Sequence, residues 1–80
     1  MYEYQFPAIP NDWKISKQML KVIEESQEMQ RAADEHEIIM ETLDVIHACE
    51  TLLRKFDKET VDALHESVIE KNEVRGYYNA

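Results

Sequence analysis

Asp34-Glu35-His36-Glu37-Ile38-Ile39-Met40 is the stretch on which the fold turns. It reads as a capping box: Asp34 stands at the N-cap and Glu37 at the third helical position, with an apolar run following directly. A helix therefore starts here and another must end just before it. Working outward, Phe56-Asp57-Lys58-Glu59 supplies a second start, with Asp57 as N-cap and Glu59 acidic in the first turn. Toward the N-terminus, Pro7 and Pro10 exclude helix, and Tyr2, Tyr4 and Phe6 alternate as in a strand or a strap laid on a surface. Asn11 or Asp12 then stands ready to cap a first helix. Toward the C-terminus, Gly76, the sole glycine, suits a left-handed cap, with Lys71 and Arg75 complementing the helix dipole. The spacing predicts an all-α chain of three helices, about 12–33, 35–56 and 58–74, following an extended N-terminal arm. A single domain results: arm 1–11, helical body 12–75 and tail 76–80.

Composition narrows the function. Seventeen acidic residues against nine basic ones give a formal charge of −8 in 80 residues, which argues against binding to nucleic-acid phosphates and fits a protein that holds cations. At 44% apolar and 32% charged the chain is too hydrophobic for a disordered acidic tail. Ile38-Ile39-Met40, the longest apolar run, is far short of the roughly 20 residues that cross a bilayer, so no membrane partner is expected. The first residues carry neither the basic start nor the apolar stretch of a signal peptide. A lone Cys49 excludes an internal disulfide and suits a reducing compartment, so the expected location is the cytoplasm.

The apolar stripes are wide. On the first helix Ile15, Met19, Val22, Ser26, Met29 and Ala33 share a face that Leu20 and Ile23 broaden. On the second, Ile38, Val45, Cys49, Leu52 and Phe56 are joined by Ile39, Leu43, Ile46 and Leu53, more than one hairpin partner covers. A chain of this size buries only about 60% of its unfolded surface. The surplus face predicts a homo-oligomeric helical bundle, dimer or tetramer, unless the third helix (Val61, Leu64, Val68) covers it. Cys49, Met19, Met29 and Met40 are expected as core filling.

Two acidic pairs stand at helical spacing. Glu25 and Glu28 are three apart, as are Glu41 and Asp44, so each pair lies on one face. In an antiparallel hairpin facing residues have numbers that add to a constant. Glu25 with Asp44, and Glu28 with Glu41, both add to 69, which centres the turn near Asp34. Four carboxylates at one level beside an apolar seam repel one another; one pair at about 4 Å is unfavourable by about 4 kcal/mol at an effective dielectric of 20. A divalent cation removes that penalty, and an all-oxygen donor set points to Mg²⁺ or Mn²⁺ rather than Zn²⁺. Taken alone, each Glu-x-x-Glu is also an ordinary solvated face. A di-iron site requires Glu-x-x-His pairs on facing helices; here Glu41 has Asp at that spacing and His47 is expected to point away from the cluster.

Glu24-Glu25-Ser26-Gln27-Glu28 followed by Glu41-Thr42-Leu43-Asp44 resembles the Glu-Glu-x-x-Glu … Glu-x-x-Asp signature of the MazG-like, all-α nucleoside triphosphate pyrophosphohydrolases. The tail Lys71-Asn72-Glu73-Val74-Arg75-Gly76-Tyr77-Tyr78 resembles the C-terminal segment of that superfamily, which touches the nucleotide. The resemblance spans roughly residues 13–78. It implies an oligomeric bundle that binds Mg²⁺ and cleaves a nucleoside triphosphate between the α- and β-phosphates, releasing pyrophosphate and the monophosphate. Glu25, Glu28, Glu41 and Asp44 match the metal ligands, and Glu24 the additional glutamate. Lys71, Asn72, Arg75 and Tyr78 match substrate contacts, and Glu24 or Glu28 would serve as general base. The larger family members have a fourth helix and a mobile loop between the carboxylate helices, where this chain has a minimal turn. A neighbouring subunit would then close over the base, with Trp13, Phe6 or Tyr4 either stacking on it or anchoring the arm. The competing reading is a non-catalytic helical module that keeps the fold for oligomerisation or regulation.

Overall fold

The computed structural model describes residues 1–79, so Ala80 of the expected tail lies outside the described residues. It is all-helical: α1 (Ile15–Gln30), α2 (Glu35–Leu53) and α3 (Lys58–Val74). The second and third helices start where the caps placed them. Asp34 accepts from the Glu37 N–H at 2.8 Å while Glu37 Oε2 accepts from the Ala33 N–H at 2.8 Å, which satisfies free amide donors on both sides of the boundary. Asp57 accepts from the Thr60 N–H. Gly76 has φ 78°; its N–H reaches the Glu73 carbonyl and the Tyr77 N–H the Asn72 carbonyl, both at 3.0 Å. That pattern is a Schellman ending, and a side chain at position 76 would be strained in it.

The first helix is shorter than its expected 12–33. Neither Asn11 nor Asp12 caps it; Lys14 holds the N-cap position with no side-chain hydrogen bond. Asn11 Oδ1 is engaged instead by the Trp13 N–H and the Lys55 ammonium. At the other end the Arg31 N–H is shared between the Gln27 and Glu28 carbonyls and the Ala32 N–H turns back to Met29, a tightened last turn. Glu37 then captures the Ala33 N–H and draws the chain out of the helix. The second helix also stops short, at Leu53 rather than 56, because Lys55 and Phe56 close onto Leu52 and Leu53 in three-residue turns ahead of Asp57.

α1 and α2 pack along one another as an antiparallel hairpin, whereas α3 has no comparable packing on either helix. Its connection to the rest runs through the arm. The Tyr2 N–H donates to Asp62 at 2.9 Å, the Tyr2 carbonyl accepts from Lys58 at 2.6 Å, and the Met1 ammonium donates to Glu66 at 2.8 Å. Among the described residues the arm forms no strand; it is a strap.

The molecule measures 37 × 34 × 21 Å, so its short dimension is about two helix diameters. Such a thin layer cannot enclose the stripes. Ala48 and Val61 are the only apolar side chains buried among the described residues. Met19, Leu20, Ile23, Ile39 and Met40 are all more than half exposed, so Met19 and Met40 are not core filling within one chain. Met29 and Cys49 are half-buried. Between the end of α2 and α3 an apolar groove of about 420 Å³ lies open, walled by Leu53, Phe56, Leu64 and Val68. The third helix therefore leaves the hairpin stripe uncovered.

Asp34→Ala removes the cap that divides the hairpin. It is expected to lower stability by about 1 kcal/mol, read as a drop in urea midpoint with an unchanged m-value.

Candidate functional site: a carboxylate cluster beside an arm-walled cavity

Three of the four expected carboxylates converge. Glu25, Glu28 and Glu41 each offer an oxygen, and these oxygens lie within 4.8 Å of one another. Glu25 is the most enclosed, with its side chain 12% exposed. Its Oε1 takes the Lys21 ammonium at 3.0 Å, while its Oε2 and Glu41 Oε2 are buried with no hydrogen-bond partner. Of the three clustered carboxylates, Glu25 alone is paired with a lysine. The negative charge of Glu25 raises the Glu28 carboxyl above its ordinary value, with loss of solvent and the charges of Glu41 and Glu24 adding to it. Chemically this is a site that gains by taking up a proton or a cation.

Asp44 stands apart from that convergence and is exposed. The reason is register. Because α1 ends at Gln30, the turn is centred nearer to residue 33 than to Asp34, and facing residues have numbers adding to about 66. Glu25 meets Glu41 at that sum, and Gln18 donates from Nε2 to the Ala48 carbonyl at 3.1 Å at the same sum. Asp44 moves one turn along α2 and borders, with Glu25, a neighbouring cavity of about 280 Å³. Glu24 is also outside the cluster: it is exposed and lies 3.7 Å from Lys21.

The cavity is walled by the hairpin on one side and by the arm on the other. Gln18, Ala48 and Thr51 are its buried part, and Ile9 and Trp13 come from the arm. Trp13 carries the Lys17 ammonium 4.2 Å from its ring centroid. His47 borders the cavity as well, with its ring stacked on Phe6 at 4.7 Å and its Nε2 at 3.2 Å from the Pro7 carbonyl. Phe6 and Tyr4 are anchors, since Tyr4 lies under the Arg54 guanidinium at 4.1 Å.

The residue that sequence reasoning missed is Glu50. It is fully buried, whereas Ala48 and Val61 are the only buried apolar residues among those described. Its carboxylate accepts from the Tyr2 hydroxyl, the Gln5 N–H and the Phe6 N–H, while Arg54 one turn on donates to the Phe6 carbonyl at 2.7 Å. Burial pushes the Glu50 carboxyl up, but the Tyr2 hydroxyl, the two backbone N–H groups and Arg54 outweigh it and leave the group below its ordinary value. The same carboxylate pushes the Tyr2 phenol up to about 12, after the larger effect of burial. Only its position on the inner face of α2 signalled Glu50, and a glutamate there reads equally as a helix-surface residue.

Lys71, Arg75 and Tyr78 are exposed at the end of α3, and Asn72 is half-buried there with its carbonyl in the helix cap. None of the four borders the cluster or the cavity. Among the described residues no helix is long and apolar enough to cross a membrane. Compared with protein-family models, with curated proteins and with solved structures, the chain matches none.

Two titrations follow from the site. In a carbon-detected NMR titration Glu28 is expected to titrate above the ordinary glutamate range, and Glu25→Gln to bring it down. Glu50 has the opposite sign: its folded value is depressed, so its contribution is complete above the unfolded-state value and is lost as pH falls through the folded one. The Gln5 and Phe6 amide resonances are expected to hold their native positions to below the ordinary glutamate range, then move together as the arm releases.

Proposed function

We propose that this chain is a Mg²⁺-dependent nucleoside triphosphate pyrophosphohydrolase of MazG-like type, acting as a homo-oligomer on nucleotide pools. The observation that carries the reading is the convergence of Glu25, Glu28 and Glu41 with two buried, unpartnered oxygens. That set is all-oxygen and anionic, and one ammonium answers it. It fits a hard divalent cation such as Mg²⁺, with Mn²⁺ as a substitute. Asp44, on the cavity edge next to Glu25, completes the matched signature and would meet the cation through water or through a rotamer change. When bound, Mg²⁺ would neutralise phosphate charge and acidify a water for attack at phosphorus.

The protein's own residues have separate tasks. Lys21 holds Glu25 in place through its Oε1 and leaves Oε2 free for a ligand. Of the two candidate bases, Glu24 is exposed and stands off the cluster, which favours Glu28 as the group that takes the water proton. Glu28 is suited to that by the charge of Glu25, which strengthens its hold on a proton. Lys71 and Arg75 would receive the departing pyrophosphate, with Asn72 and Tyr78 beside them.

Those four residues lie at and just beyond the C-terminal end of α3, which has no extended packing against the carboxylate hairpin, so the reading requires them to come from a second copy. The uncovered stripe of Leu20, Ile23, Ile39 and Met40 supports such an assembly. Burying apolar area at about 25 cal/mol per Å² is the one large stabilising contribution that the isolated chain leaves unused. Symmetric pairing supplies both the missing core and the missing cations.

The test is pyrophosphate release from a panel of ribo- and deoxyribonucleoside triphosphates, with Mg²⁺ and with EDTA. Release with Mg²⁺ alone, reduced at least a hundredfold in Glu41→Gln and Asp44→Ala, is the expected result. No release from a folded oligomer, with no rise in melting temperature on adding Mg²⁺, would instead support a non-catalytic helical module. Subunit origin is checked separately: mixing inactive Glu41→Gln with inactive Lys71→Ala/Arg75→Ala protein is expected to restore part of the activity, because a mixed oligomer then contains one intact site.

A further inference from the structure

We infer that the cavity walled by Trp13 and Gln18 takes the base of the nucleotide, with Gln18 Oε1 accepting a hydrogen bond from an exocyclic amino group on the ring edge. The inference rests on the hydrolase reading for the nature of the ligand, but its support is separate from the carboxylates. Gln18 is the only buried residue of α1, 2% exposed. Its amide orientation is set by chemistry: the Ala48 carbonyl only accepts, so the group facing it at 3.1 Å is the NH₂ end. The carbonyl end, Oε1, is buried and has no partner among the described residues. A buried acceptor left unpaired is costly and calls for a ligand or water donor.

Asn11, Lys21 and His47 are half-buried donors on the wall, Lys21 held by Glu25 and His47 Nε2 facing the Pro7 carbonyl, whereas the buried part agrees with Oε1 in polarity. Thr51 is 5% exposed, and its hydroxyl proton is already given to the His47 carbonyl at 2.9 Å. It therefore presents lone pairs only. Gln18 Oε1 and Thr51 Oγ1 are thus two buried acceptors with no proton of their own left to give, which favours an amino group, with its two N–H donors. A keto oxygen at the same ring position brings only lone pairs and would be repelled. Trp13, Ile9 and Ala48 supply the apolar and planar surface a heterocycle needs.

Size and place agree too. At about 280 Å³ the cavity lies at the small end of the roughly 300–1,000 Å³ usual for ligand sites, room for a ring system rather than a whole nucleotide. Glu25 belongs both to the cavity wall and to the carboxylate cluster. A base seated against Gln18 thus leaves its phosphates to emerge toward Glu25 and Glu28.

Trp13 is the sole tryptophan, so its fluorescence reports occupation of the cavity directly. The full chain is titrated in EDTA, without turnover, with two isosteric pairs: cytidine against uridine monophosphate, and adenosine against inosine monophosphate. The expected result is saturable quenching with the amino-bearing member of each pair binding roughly three- to tenfold tighter, the worth of one buried neutral hydrogen bond. Gln18→Leu, checked for folding by circular dichroism, is expected to erase that preference while leaving the keto nucleotides within about twofold, since they gain no bond from Oε1 to lose. Equal affinities within each wild-type pair overturn the inference whatever the variant does. Pyrophosphate release without any Trp13 quenching also overturns it and leaves the hydrolase standing. Amino-selective quenching without hydrolysis supports the cavity assignment and removes the hydrolase reading.

Discussion

The carboxylate of Glu50 holds the molecule in its shape. It is the one fully enclosed ionisable group among the described residues, and it exchanges water for three donors that all come from the arm: the Tyr2 hydroxyl and the N–H groups of Gln5 and Phe6. An extended segment has no internal ladder to satisfy its amides, so without this acceptor the arm would lie free. With it, Tyr2 reaches Asp62 and Lys58 and ties down α3, and Ile9 and Trp13 are carried across the hairpin to wall the cavity. Arg54, His47 and Lys55 repeat the same device along the strap, each meeting an arm oxygen. Lys58 additionally pairs with Asp62, so the cation that holds the Tyr2 carbonyl is itself held.

A second constraint is the lack of an enclosed apolar core in one chain. Polar contacts set the positions of the elements, yet Ala48 and Val61 alone cannot offset the conformational entropy of ordering a chain of this length. The exposed isoleucines and methionines of the hairpin and the open groove along α3 are the apolar surface that the proposed assembly would cover. In the proposed enzyme that assembly would also bring Lys71 and Arg75 to the phosphates, giving stability and activity one origin.

Much of the architecture was legible in the residues. Asp34 with Glu37, Asp57 and Gly76 are local devices whose hydrogen bonds close within a few residues, and each stands where its chemistry placed it. The Glu25/Glu28 and Glu41 pairing was legible for the same reason, since helical spacing puts acids on a face before any tertiary contact forms. Asp44 was misplaced because the hairpin register depends on where α1 ends, and that end is decided by Glu37 reaching back to Ala33 rather than by α1 itself. Asn11 was misread as a cap because its carboxamide has a distant partner, Lys55.

Readable from the residues alone are three helices, the N-caps of α2 and α3, the glycine stop of α3, an acidic face and a wide apolar stripe. Periodicity and capping are short-range, and they write themselves into neighbouring residues. The path of the arm, the burial of Glu50, the unpaired Oε1 of Gln18 and the departure of α3 from the hairpin emerge only once the chain is folded. Each of those depends on a contact across 30 or more residues, such as Gln18 to Ala48 or Tyr2 to Glu50. A glutamate or glutamine on a helix carries no mark in sequence that tells solvent from interior; only the groups that arrive beside it do.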